Sequence, residues 1–238
     1  MRGERVSAAA ARPYQSFYFD CDSTLTRIEG IDELCALLDA PEREQVHALT
    51  EQAMNGEIAL EQVYGQRLEL IVPTAEQVEE IGRLYVEQMV PFTDEVVADL
   101  QSLGKTVGIV SGGLRPAVLE LARKLGIPTE HVYAVGIDFG GDGRFRDFER
   151  DSPLCRNRGK VDVLRALPSG ARPLVFVGDG VTDLETSGIA DLFVGFGGVV
   201  AREPVRAGAH HFIDGPDLRP LLDIALTMEE RNRLSDAG

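Results

Sequence analysis

The sequence predicts an α/β fold: a parallel sheet with helices on both faces, into which a bundle of helices is inserted. Three observations predict it. Short apolar runs ending in polar or glycine residues recur at Ser16–Phe19, Thr106–Val110, Leu174–Val177 and Leu192–Phe196. Helix-period segments separate the later runs, and such alternation implies right-handed crossovers between parallel strands. Residues 31–90 carry helical periodicity with no strand among them, enough for a bundle of their own.

Each element follows from its residues. Ser16–Phe19 (SFYF) reads as a buried strand ending at Asp20. In the insertion, Ile31–Leu38 stops before Pro41, Glu42–Met54 near Asn55–Gly56, and Glu57–Ile71 before Pro73. Thr74–Met89 opens with a capping box, Thr74 with Gln77 three residues on, and Pro91 closes the block. Thr106–Val110 is a strand. Arg115–Leu125 is a helix with Pro116 near its start and Gly126 just past its end. His131–Val135 is a strand, and Ile137–Phe148 carries the hairpin signal Gly140–Gly141–Asp142–Gly143. Helix Lys160–Leu167, strand Leu174–Val177 (LVFV), helix Leu184–Ala190, strand Leu192–Phe196 and a last helix Pro216–Leu226 complete the chain. Residues 13–30 and 91–238 thus form the core, residues 31–90 the insertion and residues 1–12 an N-terminal tail.

Composition narrows the function classes. Hydrophobic residues make up 44% of the 238, which excludes a disordered chain. A formal net charge of −15 repels a phosphate backbone and argues against nucleic acid as a partner. An anionic substrate then needs a locally positive site. Three cysteines (Cys21, Cys35, Cys155) without a CxxC spacing suit a reducing compartment. No apolar run reaches the ~18–20 residues of a membrane span, and the first residues lack an apolar signal region. The expected location is the cytoplasm, with no membrane partner. Oligomeric state is not legible.

In parallel sheets, ligands bind beyond the carboxyl ends of the strands. The residues following the strands are therefore the candidates. Asp20 and Asp22, in Asp20–Cys21–Asp22–Ser23–Thr24, are carboxylates two residues apart. Close carboxylates repel and call for a cation or a shared proton; Mg²⁺, a hard ion held by oxygens, suits them. Ser111–Gly112–Gly113 offers a hydroxyl and open backbone N–H groups, a setting that favours an anion. Gly178–Asp179–Gly180–Val181–Thr182–Asp183 adds two carboxylates. Lys160, after Gly159 at a helix start, adds a cation. Taken singly, each fits an ordinary turn, cap or solvated surface.

Taken in this order, the set resembles the haloacid dehalogenase superfamily, whose phosphatases carry DxDx[ST], a Ser/Thr after the second strand, a Lys and a GDGxxD-type motif on a Rossmann-like core. Here these look like Asp20/Asp22/Thr24, Ser111, Lys160 and Asp179/Asp183. The resemblance implies a Mg²⁺-dependent phosphomonoesterase. Asp20 would be the nucleophile that becomes an aspartyl-phosphate, and Asp22 the general acid and then base. Lys160, Ser111 and the Gly112 amide would orient the phosphoryl oxygens. Asp20, the carbonyl of Asp22 and Asp179 would hold the metal, with Asp183 supporting it directly or through water. The insertion stands at the cap position, where specificity resides in that superfamily.

Two residues bear on the substrate. Leu60, Tyr64, Arg67 and Ile71 fall on one helical stripe, so Arg67 interrupts an apolar face and wants an anionic partner. A glutamate of the insertion, escape to water, or a substrate carboxylate each meets that need. Glu29, near a phosphate site, either caps the following helix or pairs with a substrate cation. Phosphate, carboxylate and ammonium together describe phosphoserine. EGIDEL after DxDSTLT, Ala53–Gly56, Gln66–Ile71, Val110–Gly113, GDGVTD and Gly195–Gly198 look like the phosphoserine phosphatase family. That resemblance implies roles for Glu29 and Arg67 on the amino and carboxylate groups, and for Met54, Gly113 and Thr182 as further substrate contacts. It also implies a place in serine biosynthesis. Cys21, Leu60, Asn55 and the basic stretch Cys155–Gly159 depart from the family pattern. A relative acting on phosphoethanolamine, phosphocholine or a phosphosugar, a phosphotransferase, and a non-catalytic phospho-ligand sensor are the competing readings. The intact acidic residues and Lys160 argue against the last.

Overall fold

The computed structural model describes residues 10, 12–54, 58 and 60–237, and of residues 47, 50–54, 60 and 237 the backbone alone. Most of the predicted N-terminal tail therefore lies outside the described residues. Ala10 and Arg12 touch the core, through Leu226 O and Asp191 respectively.

Strand β1 (Ser16–Phe19) is buried along its whole length, as its unbroken apolar run requires. Four helices follow: α1 (Gly30–Ala36), α2 (Ala40–Met54), α3 (Leu60–Ile71) and α4 (Ala75–Glu87). The Thr74–Gln77 capping box forms with both of its bonds. Next comes α5 (Thr93–Ser102), which the sequence reading lacked. Pro91 reads as the end of a helical block, but Thr93, Val96, Val97 and Leu100 bury one face of a further helix directly behind it.

Strand β2 (Thr106–Leu114) runs past the expected end at Val110 and through Ser111–Gly113. Its register against β3 (Val132–Val135) shifts between Val110 and Leu114, which marks the irregularity that carries the serine and glycines. Helix α6 (Arg115–Lys124) lies between these strands, and Gly126 beyond it takes the left-handed conformation at φ 66°. The hairpin β4 (Ile137–Phe139) and β5 (Phe145–Phe148) forms as predicted, with Gly143 at φ 75°. Then come α7 (Gly159–Ala166) and β6 (Leu174–Gly178).

The helix expected at Leu184–Ala190 begins earlier, as α8 (Val181–Leu184), and tightens into a 3₁₀ turn over Glu185–Gly188. Asp183 Oδ2 accepts the Gly180 N–H at 2.8 Å and so starts it at the GDG loop. β7 (Leu192–Phe196) is followed by α9 (Glu203–Gly208) and β8 (His211–Ile213), both absent from the sequence reading. The predicted last helix is the shorter α10 (Pro220–Ala225), and α11 (Met228–Ala237) follows it.

The six-stranded sheet has order β3-β2-β1-β6-β7-β8, and each neighbouring pair is parallel. β1, at its centre, pairs β2 on one side and β6 on the other, so three candidate loops emerge side by side. Phe17, Phe19, Phe176 and Phe193 are wholly buried around it, each burial favouring the fold by about 1.5–3 kcal/mol.

The inserted helices are tied into the sheet-bearing part. α4 lies against α6 closely enough that a Cβ on Gly82 would come within 2.9 Å of Glu120 Cβ. The hairpin supports the other side: Ala75 N donates to Gly143 O at 2.8 Å, and the rings of Tyr64 and Phe148 lie 5.4 Å apart. Among the described residues, no helix is long and apolar enough to cross a membrane.

Candidate active site

The carboxyl ends of β1, β2 and β6 open into one cleft of about 420 Å³. Asp20, Asp22, Glu29, Arg67, Lys160 and Thr182 all line it, as do Gly112 and Gly113. Segments far apart in the sequence thus converge on one cleft.

Asp20 continues β1, its N–H donating to Val177 O at 2.9 Å. Its side chain meets Lys160, whose Nζ lies 2.7 Å from Asp20 Oδ1 and 2.6 Å from Asp183 Oδ1. All three residues are buried, where a charge persists only with a partner. Burial, and then the neighbouring Asp183 carboxylate, pushes the Asp20 carboxyl well above the usual range. Burial works against the Lys160 ammonium, but Asp183 and Asp20 outweigh it and hold its pKa above the ordinary value. Gly159 is needed beside it, because a Cβ there would lie 1.8 Å from Pro153 O.

Asp179 completes an acidic trio. One carboxylate oxygen from each of Asp20, Asp179 and Asp183 lies within 4.8 Å of the others. Burial and the Asp183 charge push the Asp179 carboxyl up to about 6, with Arg202 pulling the other way. Arg202 forms an ion pair with Asp179 Oδ2, and Thr24 Oγ1 donates to Oδ1 at 3.2 Å. Three buried hard oxygens gathered beside too little positive charge fit a small divalent cation. The Asp22 carboxylate stands outside this trio.

Asp22 is instead gripped by donors. Its Oδ1 accepts the Tyr85 hydroxyl at 2.6 Å and the Gly30 N–H at 2.8 Å, and Ser111 Oγ donates to its Oδ2 at 3.3 Å. Burial raises its pKa, and the Tyr85, Gly30 and Ser111 bonds act against that. Ser23 takes the left-handed conformation at φ 52°, a strained turn at the strand end, where its hydroxyl donates to Glu29 Oε1 at 2.6 Å. Burial first, and the Asp22 charge second, push Glu29 up to about 7.

Ser111 Oγ accepts the Gly113 N–H at 2.9 Å, and Tyr64 donates to Gly112 O at 2.8 Å. A Cβ on Gly113 would press to 3.0 Å from Ser111 Oγ and 3.1 Å from Asp22 Oδ2. Arg67 shares its helix face with the buried Tyr64 and Ile71, as the stripe predicts. Its partner within the chain is the α1 carboxylate of Asp32, where the sequence reading offered a glutamate of the insertion, water or a substrate carboxylate. Met54 ends α2, but its side chain lies outside the described residues, as do Asn55 and the Leu60 side chain. Thr182 sits in α8 at the cleft. Cys21 is wholly buried, and burial raises its thiol pKa well above the usual value, which makes it a packing residue.

Sequence reasoning missed Tyr85, Asp32, Tyr64 as a polar partner, and Arg202. Tyr85 and Tyr64 lie on apolar helix stripes and read as core. Arg202 belongs to no spacing pattern that marks it.

A parallel sheet with an aspartate pair after its first strand, a lysine clamping that pair's leading member and an acidic loop after a third strand define a phosphoryl-handling hydrolase. The chain belongs to the haloacid dehalogenase-like hydrolases, whose family profile matches residues 17–187. Among curated relatives it is 38% identical over 200 residues to the phosphoserine phosphatase of Bos taurus, covering 82% of this chain and 87% of that one. A solved phosphoserine phosphatase holding a phospho-aspartyl intermediate analogue superposes with a TM-score of 0.71 at 29% identity, over 89% of this chain and 98% of that one. A substrate-bound phosphoserine phosphatase gives the same TM-score, identity and coverage.

Proposed function

We propose that the chain is a phosphoserine phosphatase that hydrolyses O-phospho-L-serine to L-serine and phosphate through an aspartyl-phosphate on Asp20, and so serves serine biosynthesis. One observation carries the reading. A single cleft presents a lysine-clamped carboxylate, a second carboxyl held by donors, and a separate Glu29/Arg67 pair of opposite sign. The first two suit phosphoryl transfer. The last two suit an ammonium and a carboxylate on one small substrate.

Lys160, the Ser111 hydroxyl and the Gly112 N–H bind and orient the phosphoryl oxygens. Asp20 attacks phosphorus and the ester bond breaks, with Asp22 giving a proton to the departing serine oxygen. Asp22, now a carboxylate, takes a proton from the water that next attacks phosphorus and frees Asp20. Asp20, Asp179 and the backbone carbonyl of Asp22 are the residues that would hold Mg²⁺, with Asp183 in support. When bound, the ion supplies positive charge that offsets the phosphoryl oxygens. Residues 31–90 act as the cap over a core of residues 13–30 and 91–238, with Met54, Gly113 and Thr182 as further substrate contacts. The cytoplasm fits three free, buried cysteines.

The test is phosphate release from a panel of small phosphomonoesters with and without Mg²⁺. O-phosphoserine should exceed phosphoethanolamine and phosphocholine, which lack the carboxylate for Arg67. A phosphate-bearing substrate without a carboxylate at the head of the ranking would overturn the assignment.

A further inference from the structure

We propose that Tyr85, on α4, is a positioning residue that selects which oxygen of Asp22 exchanges the proton with the leaving group. The inference rests on Asp22 being the acid, and it follows from how the two oxygens are occupied.

Asp22 Oδ1 accepts two bonds, from Tyr85 Oη at 2.6 Å and Gly30 N at 2.8 Å. A carboxyl oxygen engaged by two donors has both lone pairs committed and is the carbonyl-like one. The proton then belongs on Oδ2, beside Ser111 and Gly113, and Gly113 lines the cleft. Tyr85 is buried to 1% exposure, where packing alone would be served by a phenylalanine. Its hydroxyl reaches Asp22 because residue 30 is glycine: a Cβ there would lie 2.2 Å from Tyr85 Oη and 2.9 Å from Cζ. The missing side chain at 30 and the hydroxyl at 85 are therefore one device, built from two helices around one carboxyl oxygen.

The step balances. Asp20 forms its bond to phosphorus as the bond from phosphorus to the ester oxygen breaks. The electron pair passes to that oxygen, which takes the proton from Asp22 Oδ2. Oδ1 stays with its two donors throughout, so the carboxyl cannot rotate and offer the wrong oxygen. The proton returns to Oδ2 from the attacking water as the bond from Asp20 to phosphorus breaks.

The experiment compares Tyr85→Phe and Gly30→Ala with the unaltered chain, with Mg²⁺ present. The readout is the ratio of kcat/KM for an alkyl phosphate to kcat/KM for p-nitrophenyl phosphate, with O-phosphoserine and phosphoethanolamine both run as alkyl arms. An alkyl leaving oxygen needs the proton; a nitrophenolate does not. Because kcat/KM reports only the steps up to release of the alcohol, later dephosphorylation does not enter. The ratio should fall about tenfold or more in both variants, within the range general acid catalysis contributes. The p-nitrophenyl arm and a thermal melt report whether each variant is folded. A ratio that moves less than about twofold in a folded variant, whatever the absolute rates, overturns the inference. Failure of O-phosphoserine alone, with phosphoethanolamine still turned over, sinks the substrate assignment and leaves the ratio test standing. An unaltered chain that cleaves p-nitrophenyl phosphate but no alkyl phosphate removes the acid role of Asp22, and the positioning role with it.

Discussion

Arg67 Nη2 lies 2.7 Å from Asp32 Oδ1, so the guanidinium that the cleft offers to a substrate is held from the side by a carboxylate of α1. The Arg67 side chain is only 16% exposed and its Nε is buried without a hydrogen-bond partner among the described residues. A buried guanidinium N–H left unmatched is costly, and a second carboxylate in the cleft satisfies it. Removing Arg67 should therefore hurt a carboxylate-bearing substrate selectively. Arg67→Ala is expected to lower kcat/KM on O-phosphoserine by roughly 10- to 100-fold, the worth of a charged hydrogen bond, while p-nitrophenyl phosphate is affected far less. Steady-state kinetics on both substrates checks this, and equal losses would remove the carboxylate clamp.

Glu29 gives a pH signature. Burial and Asp22 push its carboxyl up to about 7 from an ordinary 4.5. A group whose folded pKa is raised contributes stability that is fully present below the ordinary value and is lost as pH rises through the folded value. The unaltered chain should lose that contribution between about 4.5 and about 7, while Glu29→Gln, neutral throughout, should not. The Tm of the variant relative to the parent is thus expected to climb between about pH 4.5 and about pH 7 and to level off above that. A difference that stays constant with pH would contradict the raised value.

Glu230 gives the opposite sign. Its carboxylate pairs with Lys105 at a site where both side chains are under 10% exposed, at 7% and 9%. Lys105 also donates to Tyr14 O at 2.7 Å, and Thr227 N donates to Glu230 Oε2 at 2.9 Å, so the pair ties α11 to the start of β2. Burial alone would raise the Glu230 pKa, but the Lys105 and Thr227 bonds outweigh it and lower it. The stabilisation is present above the ordinary carboxyl pKa and is lost as pH falls through the depressed one. Glu230→Gln keeps the Thr227 cap and leaves the lysine its bond to Tyr14 O but no counter-charge. It should cost about 1.5–3 kcal/mol, the worth of a hydrogen bond between charged groups, measurable by denaturant unfolding at neutral pH. A loss well below 1 kcal/mol would show that the pair is solvated.

The parts legible in the sequence share a physical reason. β1, β6 and β7 are buried on both faces, so their apolar runs are unbroken, and the loops beyond them carry glycines and carboxylates in fixed order. Asp20, Asp22, Ser111, Lys160, Asp179 and Asp183 could be found because each sits within a few residues of a strand or helix end. What escaped depends on distance or on brevity. Tyr85 reaches Asp22 across 63 positions of chain and lies on the same α4 face as Ile81, where a tyrosine is indistinguishable from packing. Asp32 pairs with Arg67 Nη2 across 35 positions. β8 has three residues and α9 six, too few to establish a period. α5 hid behind Pro91, which punctuates a helix end as readily as it precedes a new start.

The central claim is that the Asp20 carboxylate is transiently esterified by phosphorus. It is tested most directly by acid quench of the protein during turnover of O-phosphoserine, followed by peptide mass mapping. The expected result is one phosphoryl group on the peptide carrying Asp20, abolished together with turnover in a folded Asp20→Asn variant. A phosphoryl group on any other residue, or an Asp20→Asn variant that keeps substantial turnover, would contradict it.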